Sequence, residues 1–113
     1  EIPGMLLWTE CMAGNPRAWA CMKKSNKRAI TGCESMYLAM RPFYEGHPNV
    51  AAYYDDEVMR CPKCGSHDQQ AQDKPALTNV GKYTRYKCGG CGGFARSRYT
   101  QNSKLKRQSL LAN

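Results

Sequence analysis

Long apolar runs are missing from this chain. Leu6, Leu7 and Trp8 make a short apolar patch, and nothing approaches the ~20 residues that a membrane-spanning helix requires, so no membrane association is expected. A secretory signal pattern is lacking as well, and the seven cysteines are an odd number that full disulfide pairing would leave one thiol over. These absences point to a reducing cytoplasm with thiolates held by metal. Acidic residues are scarce where basic ones are densest: residues 60–113 hold eleven Lys or Arg against two Asp, whereas residues 1–59 hold six against seven Asp or Glu. The charges are therefore +9 and −1, which together make the net +8. At 113 residues the chain has room for a small domain or for a ribbon with a helical partner. It is too short for a large enzyme core.

What is present is a pair of Cys-x-x-Cys knuckles, Cys61-Pro62-Lys63-Cys64-Gly65 and Cys88-Gly89-Gly90-Cys91-Gly92, with twenty-three residues between them. Two such turns offer four sulfurs to one tetrahedral Zn²⁺, and the glycine after each relieves backbone crowding. Cys61, Cys64, Cys88 and Cys91 are the expected ligands of one structural zinc ion. Four protein ligands leave no open position for water or substrate. His67 follows Cys64 by three residues, but the tetrahedron is already complete and a solvated loop histidine is the simpler reading. Cys11, Cys21 and Cys33 lie among helical patterns, where a free cysteine behaves as a small buried hydrophobe. A ribbon of about forty residues buries little apolar surface, so the metal would supply most of its folding free energy.

Four thiolates on Zn²⁺ contribute −2, which lowers the +9 of residues 60–113 to +7 and still suits a polyanion. The basic residues alternate with aromatics in Lys82-Tyr83-Thr84-Arg85-Tyr86-Lys87 and Phe94-Ala95-Arg96-Ser97-Arg98-Tyr99. Lys82, Arg85, Lys87, Arg96 and Arg98 are candidate phosphate contacts, and Tyr83, Tyr86, Phe94 and Tyr99 are rings able to stack on unpaired bases. The alternative is a solvated strand face whose aromatics pack over a thin core, because any alternating strand generates such a pattern.

The expected fold class is small α+β: an N-terminal helical segment followed by a four-cysteine zinc ribbon of short antiparallel strands. Residues 5–12 read as a short helix closing at Gly14. Asn15-Pro16 then supplies an N-cap and a first-turn proline, and Trp19, Met22, Ala29, Ile30, Cys33, Tyr37 and Met40 recur at helical steps until Pro42. Ser25-Asn26 can cap a second helix, so a break near residue 25 is an open alternative, and Gly32 weakens the helix. The divisions expected are a helical segment over 1–43, an irregular acidic connector over 44–59, the ribbon over 60–100 and a basic tail or short helix over 101–113. Within the ribbon, Tyr83–Lys87 and Phe94–Tyr99 read as strands, with a turn at Asn79-Val80-Gly81.

The run Leu7-Trp8, Cys11-Met12-Ala13-Gly14, Ala18-Trp19, Met22, Asn26, Glu34, Tyr37-Leu38, Arg41-Pro42 and His47-Pro48-Asn49 resembles the C-terminal part of phage-encoded 3′–5′ exonucleases. These belong to the ribonuclease H-like, proofreading-type superfamily, in which a zinc ribbon often follows. Cys61-Pro62-Lys63-Cys64-Gly65-Ser66, Gly81-Lys82-Tyr83, Arg85-Tyr86-Lys87-Cys88 and Arg96-Ser97-Arg98 continue the similarity over nearly the whole chain. The resemblance implies two metal ions held by four carboxylates, three of which would lie before residue 1. The fourth belongs to a helical motif of tyrosine, three residues, then aspartate, and the matching positions here are Ser25 and Ala29. Ser25 does not replace a tyrosine hydroxyl that orients the attacking water, and Ala29 does not replace a carboxylate ligand of Mg²⁺.

The one acidic cluster, Asp55-Asp56-Glu57, has no second cluster to complement it and reads as a solvated loop. Lys23, Lys24, Lys27 and Arg28 leave the position basic, suited either to phosphate or to plain solvation. The expectation is a non-catalytic remnant that binds nucleic acid, DNA in single-stranded or junction form, in the host cytoplasm if phage-encoded. Two alternatives stay open. One is an interaction protein that docks on a host or phage enzyme acting on nucleic acid. The other is a C-terminal piece of a 3′–5′ exonuclease that needs another polypeptide.

Overall fold

The computed structural model describes residues 2–111; Glu1 of the expected helical segment and Ala112 and Asn113 of the expected tail lie outside the described residues. The chain divides into two compact units, Glu1–Ala39 and Met40–Asn113. Helices come first and a three-stranded antiparallel sheet follows, which is the α+β class that the sequence predicts.

In the first unit, α1 (Gly4–Met12) and α2 (Pro16–Met40) are joined by a tight turn at Ala13–Asn15. Gly14 takes φ 81° there, a left-handed conformation that closes helix ends and that β-carbons disfavour. The Asn15 side chain accepts from the Arg17 amide at 3.0 Å and donates to Glu10 Oε2 at 2.8 Å, so one residue caps α2 and ties it to α1. Leu7, Cys11 and Ala18 form the buried cluster, with Ile2, Cys21 and Met22 packed against it. No break occurs near residue 25: α2 runs uninterrupted, and Ser25-Asn26 stays inside it. All of residues 23–39 are exposed. That corrects the reading of Cys33, which is exposed because it lies beyond the turn at which α1 can cover α2.

The second unit begins with short 3-10 turns at Arg41–Phe43 and Val50–Tyr53. The sheet comprises β1 (Gln69–Leu77), β2 (Lys82–Cys88) and β3 (Phe94–Arg96) in the order β1-β2-β3. β1 has no counterpart in the sequence reading. Its Gln-Gln-Ala-Gln-Asp-Lys-Pro composition is poor in strand formers, and Pro75 sits in an irregularity between Gln72 and Ala76. β1 is an edge strand, which is where a residue lacking an N–H is tolerated. The expected Asn79-Val80-Gly81 turn is present, with the Thr78 amide donating to Gly81 O at 2.9 Å and the Gly81 amide to Thr78 Oγ1 at 3.1 Å. β3 is shorter than expected. It stops at Arg96 because the Ser97 hydroxyl donates to Tyr99 O at 3.0 Å and accepts from the Thr84 amide, bending the chain away from the ladder. The chain ends in α3 (Lys104–Ser109), capped by Ser103 Oγ, which accepts from the Lys106 amide. Among the described residues no helix is long and apolar enough to cross a membrane.

Candidate metal centre and basic sheet face

The two knuckles repeat one backbone device. In each, the first cysteine donates its amide to the residue five positions on, Cys61 to Ser66 O at 2.8 Å and Cys88 to Gly93 O at 2.9 Å. The same cysteine accepts at its carbonyl from the glycine four positions on, Gly65 and Gly92, both at 2.9 Å. Those glycines have φ of 78° and 75°, which explains the glycine after each knuckle. The turns also aim amides at sulfur: Lys63 N–H at Cys61 Sγ, 3.4 Å, and Gly90 N–H at Cys88 Sγ, 3.3 Å. Such donors stabilise thiolates.

The result is a cluster of Cys61, Cys64, Cys88 and Cys91 whose sulfurs all lie within 4.8 Å of one another. Across the knuckles Cys61 Sγ is 3.7 Å from Cys91 Sγ and Cys64 Sγ is 3.5 Å from Cys88 Sγ. A disulfide requires about 2.05 Å. A tetrahedral ion with metal–sulfur bonds of about 2.3 Å requires sulfur–sulfur edges of about 3.8 Å, so the donor set fits one metal ion. Burial pushes the Cys64 thiol up to about 12. At Cys88 burial also opposes ionisation, but amide donors from Cys91 and Gly90 and the Gln69 side chain outweigh it, and the thiol is lowered to about 6. Four thiolates in one place need a cation to hold them. His67 is exposed and stands outside the cluster.

Residues 42–60 are built onto this centre. Pro42 is buried; its carbonyl accepts from Lys63 Nζ beside the first knuckle, and its backbone lies where a β-carbon on Gly93, beside the second knuckle, would meet it at 3.1 Å. Arg60 donates to Asp56 through Nε and Nη2, donates Nη1 to Gly65 O at 3.1 Å, and lies 4.0 Å from the Tyr54 ring centroid. Asp56 is held below its ordinary value, first by this hydrogen bond from Arg60. One carboxylate of the Asp55-Asp56-Glu57 run is thereby committed to an ion pair, and among the described residues the cysteine cluster is the group that can hold a metal. Arg60 was not singled out in the sequence, and Pro42 was read as the stop of the helix and part of the resemblance, not as a contact of the knuckles. The four-residue spacing from Asp56 to Arg60 was the available signal.

The basic and aromatic residues separate between the two faces of the sheet. Arg85 pairs with Arg96, and Lys87 with Phe94, so Tyr83, Arg85, Lys87, Phe94 and Arg96 share one face. There they interleave: the Arg85 guanidinium lies 4.0 Å from the Phe94 centroid and Arg96 lies 4.1 Å from that of Tyr83, with Lys87 Nζ 6.0 Å from Phe94. Two like charges directly opposite each other are ordinarily destabilising. Here each guanidinium is stacked on a ring, a contact worth about 0.5–2 kcal/mol. Tyr83 is further held against Gly81, whose added β-carbon would lie 2.4 Å from the ring. Asp73 borders this ladder at the β1 irregularity, in a shallow depression shared with Arg85 and Phe94. Lys82 and Tyr86 belong to the opposite face, and Arg98 and Tyr99 lie beyond the end of β3. No family model, curated protein or solved structure matches the chain.

Proposed function

We propose that the second unit is a structural zinc ribbon that binds nucleic acid without cutting it. The carrying observation is the Tyr83–Arg96–Arg85–Phe94 ladder with Lys87 beside it. Ring stacking limits the rotamers of both arginines before any ligand arrives, which lowers the ordering cost of binding. Each guanidinium keeps N–H groups for phosphate, and Phe94, 46% exposed, keeps area for a base. Zinc is the metal of choice for a closed four-thiolate site with a structural role. We read the first unit as the last helices of an exonuclease-like domain, a reading supported by its exposed Trp8, Trp19 and Ile30, which would pack on the body of such a domain. A separate polypeptide that restored Mg²⁺-dependent 3′–5′ digestion would overturn the non-catalytic part of this reading.

The test is titration of a labelled single-stranded DNA at rising salt. Three phosphate contacts, from Arg85, Lys87 and Arg96, predict a slope of log affinity on log salt of about −2. The R85A/R96A double variant should bind about tenfold or more weakly, with a slope shallower by about 1.4. Absence of binding at low salt would remove the proposal.

A further inference from the structure

The face of the sheet opposite the ladder carries a cavity of about 330 Å³, lined among others by Met59, Pro62, Tyr86, Ala95, Arg98 and Tyr99. It lies entirely within the second unit. Residues from the segment before the first knuckle form one wall, and the side of β2 and β3 that bears Tyr86 and Ala95 forms the other. Its size is at the small end of ligand sites, which run from about 300 to 1,000 Å³, so it suits one ring system and excludes a large cofactor.

The chemistry of the walls is uneven. Met59, Pro62 and Ala95 are apolar, Tyr86 and Tyr99 offer rings, Asn49, Gln69 and Ser97 add uncharged polar groups, and among the described residues no carboxylate lines the cavity. Three arginines border it, but two have their guanidiniums engaged elsewhere: Arg60 is held by Asp56 and Gly65 O, and Arg96 lies over Tyr83. Arg98 has no hydrogen bond or ion pair among the described residues, and Tyr99 is 80% exposed. A slot of mixed walls with two rings, uncharged polar groups, one free guanidinium and no acid fits a flat aromatic group that carries hydrogen-bonding edges and a negative charge.

We infer that this cavity takes one unpaired nucleobase with its phosphate, the base lying against Tyr86 and Tyr99 and the phosphate meeting Arg98. The inference rests on the proposal that the ladder binds nucleic acid, and it adds a preference. Arg96 ends β3 at the sheet edge, and Arg98 of the cavity follows two residues on, past the bend at Ser97. A strand crossing that edge can lay its backbone on one face and turn a base into the other. A duplex, whose bases stay stacked and paired, gains the ladder alone.

The experiment compares a single strand with a blunt duplex of equal length, using the full metal-loaded chain. Wild type should prefer the single strand about tenfold. Y99A and R98Q should each lose most of that preference and bind duplex within about twofold of wild type, with metal content and sheet amide spectra unchanged. R85A/R96A should weaken both ligands. If Y99A and R98Q keep the wild-type preference while R85A/R96A loses affinity, the cavity inference is wrong and the ladder stands. Wild type binding neither ligand removes both. Deoxyadenosine monophosphate at millimolar concentration separates the two sources of the same chemistry. Shifts of the Tyr86 and Tyr99 ring resonances indicate that a free nucleotide enters, whereas no shift together with a retained strand preference confines the site to bases within a strand.

Discussion

In the first unit the buried side chains are Leu7, Cys11 and Ala18, and they are covered because α1 folds back on the start of α2. In the second unit the buried hydrophobic positions are Cys61 and Cys88, and the remaining order is carried by backbone hydrogen bonds around the four sulfurs. The helices thus have propensity and a cap but few neighbours, whereas the ribbon has a dense local hydrogen-bond pattern but almost no apolar interior. A core of about three small side chains cannot fix a 25-residue helix along its length, and the exposure of residues 23–39 shows where its reach ends. A sheet with two buried cysteines cannot fold on apolar burial either, so a metal–thiolate centre has to take the place of a core.

Chelation should separate the two units most clearly. Removing the metal, or replacing Cys61 with serine, should unfold the sheet, because structural zinc contributes about 10–16 kcal/mol in comparable peptides. The dispersed amide resonances of β1, β2 and β3 should collapse while those of residues 4–22 persist. A sheet spectrum unchanged under a strong chelator would show that the four thiols need no ion. The two knuckles can next be set against each other. Gly65 and Gly92 share a left-handed conformation, but a β-carbon on Gly65 would meet Tyr54 at 3.1 Å and one on Gly92 would meet nothing within 4 Å. G92A should therefore cost only the backbone term of about 1 kcal/mol, and G65A about 1 kcal/mol more, read as midpoints of denaturant unfolding of the metal-loaded protein. Equal costs would mean that Tyr54 and Arg60 do not brace the first knuckle. The smallest effect belongs to the helices. Gly32 lies in α2 with open space around its α-carbon, so G32A should stabilise the helix by about 0.5–1 kcal/mol. Helical ellipticity should rise while the chelator sensitivity of the sheet stays as it was.

The helices and the cysteine cluster were legible because their signals are local. Asn15-Pro16 is a start signal, and Cys-x-x-Cys-Gly encodes its own turn geometry. β2 and β3 were legible from the alternation of basic and aromatic residues, although Ser97 cut β3 short by a side-chain hydrogen bond that composition does not reveal. β1 was hidden because its strand character comes from pairing with β2, as Gln70 opposite Lys87 and Ala71 opposite Tyr86 show, and not from its own residues. The sequence reading grouped Tyr86 with Arg85 and Lys87, whereas the strand places it on the opposite face. The stacking of Arg85 on Phe94 and of Arg96 on Tyr83 needed the register, which is set by partners far apart in sequence. The attachment of Pro42 and Arg60 to the knuckles depends on contacts across chain segments and has only the faint Asp56–Arg60 spacing to announce it.

The irregularity in β1 bears on self-association. An edge strand with open amides and carbonyls invites a second chain to extend the sheet, and a sheet with so thin an interior has little to resist that exchange once its ion is lost. Pro75 lacks the N–H that a neighbouring strand would need, and the break in register between Gln72 and Ala76 interrupts the straight run of partners along which fibrils grow. At the other edge β3 has three residues, too few for a stable foreign strand. The kink thus guards the folded sheet, and the missing N–H of Pro75 stays with the chain even when the sheet is unfolded, so one residue discourages strand addition in both states.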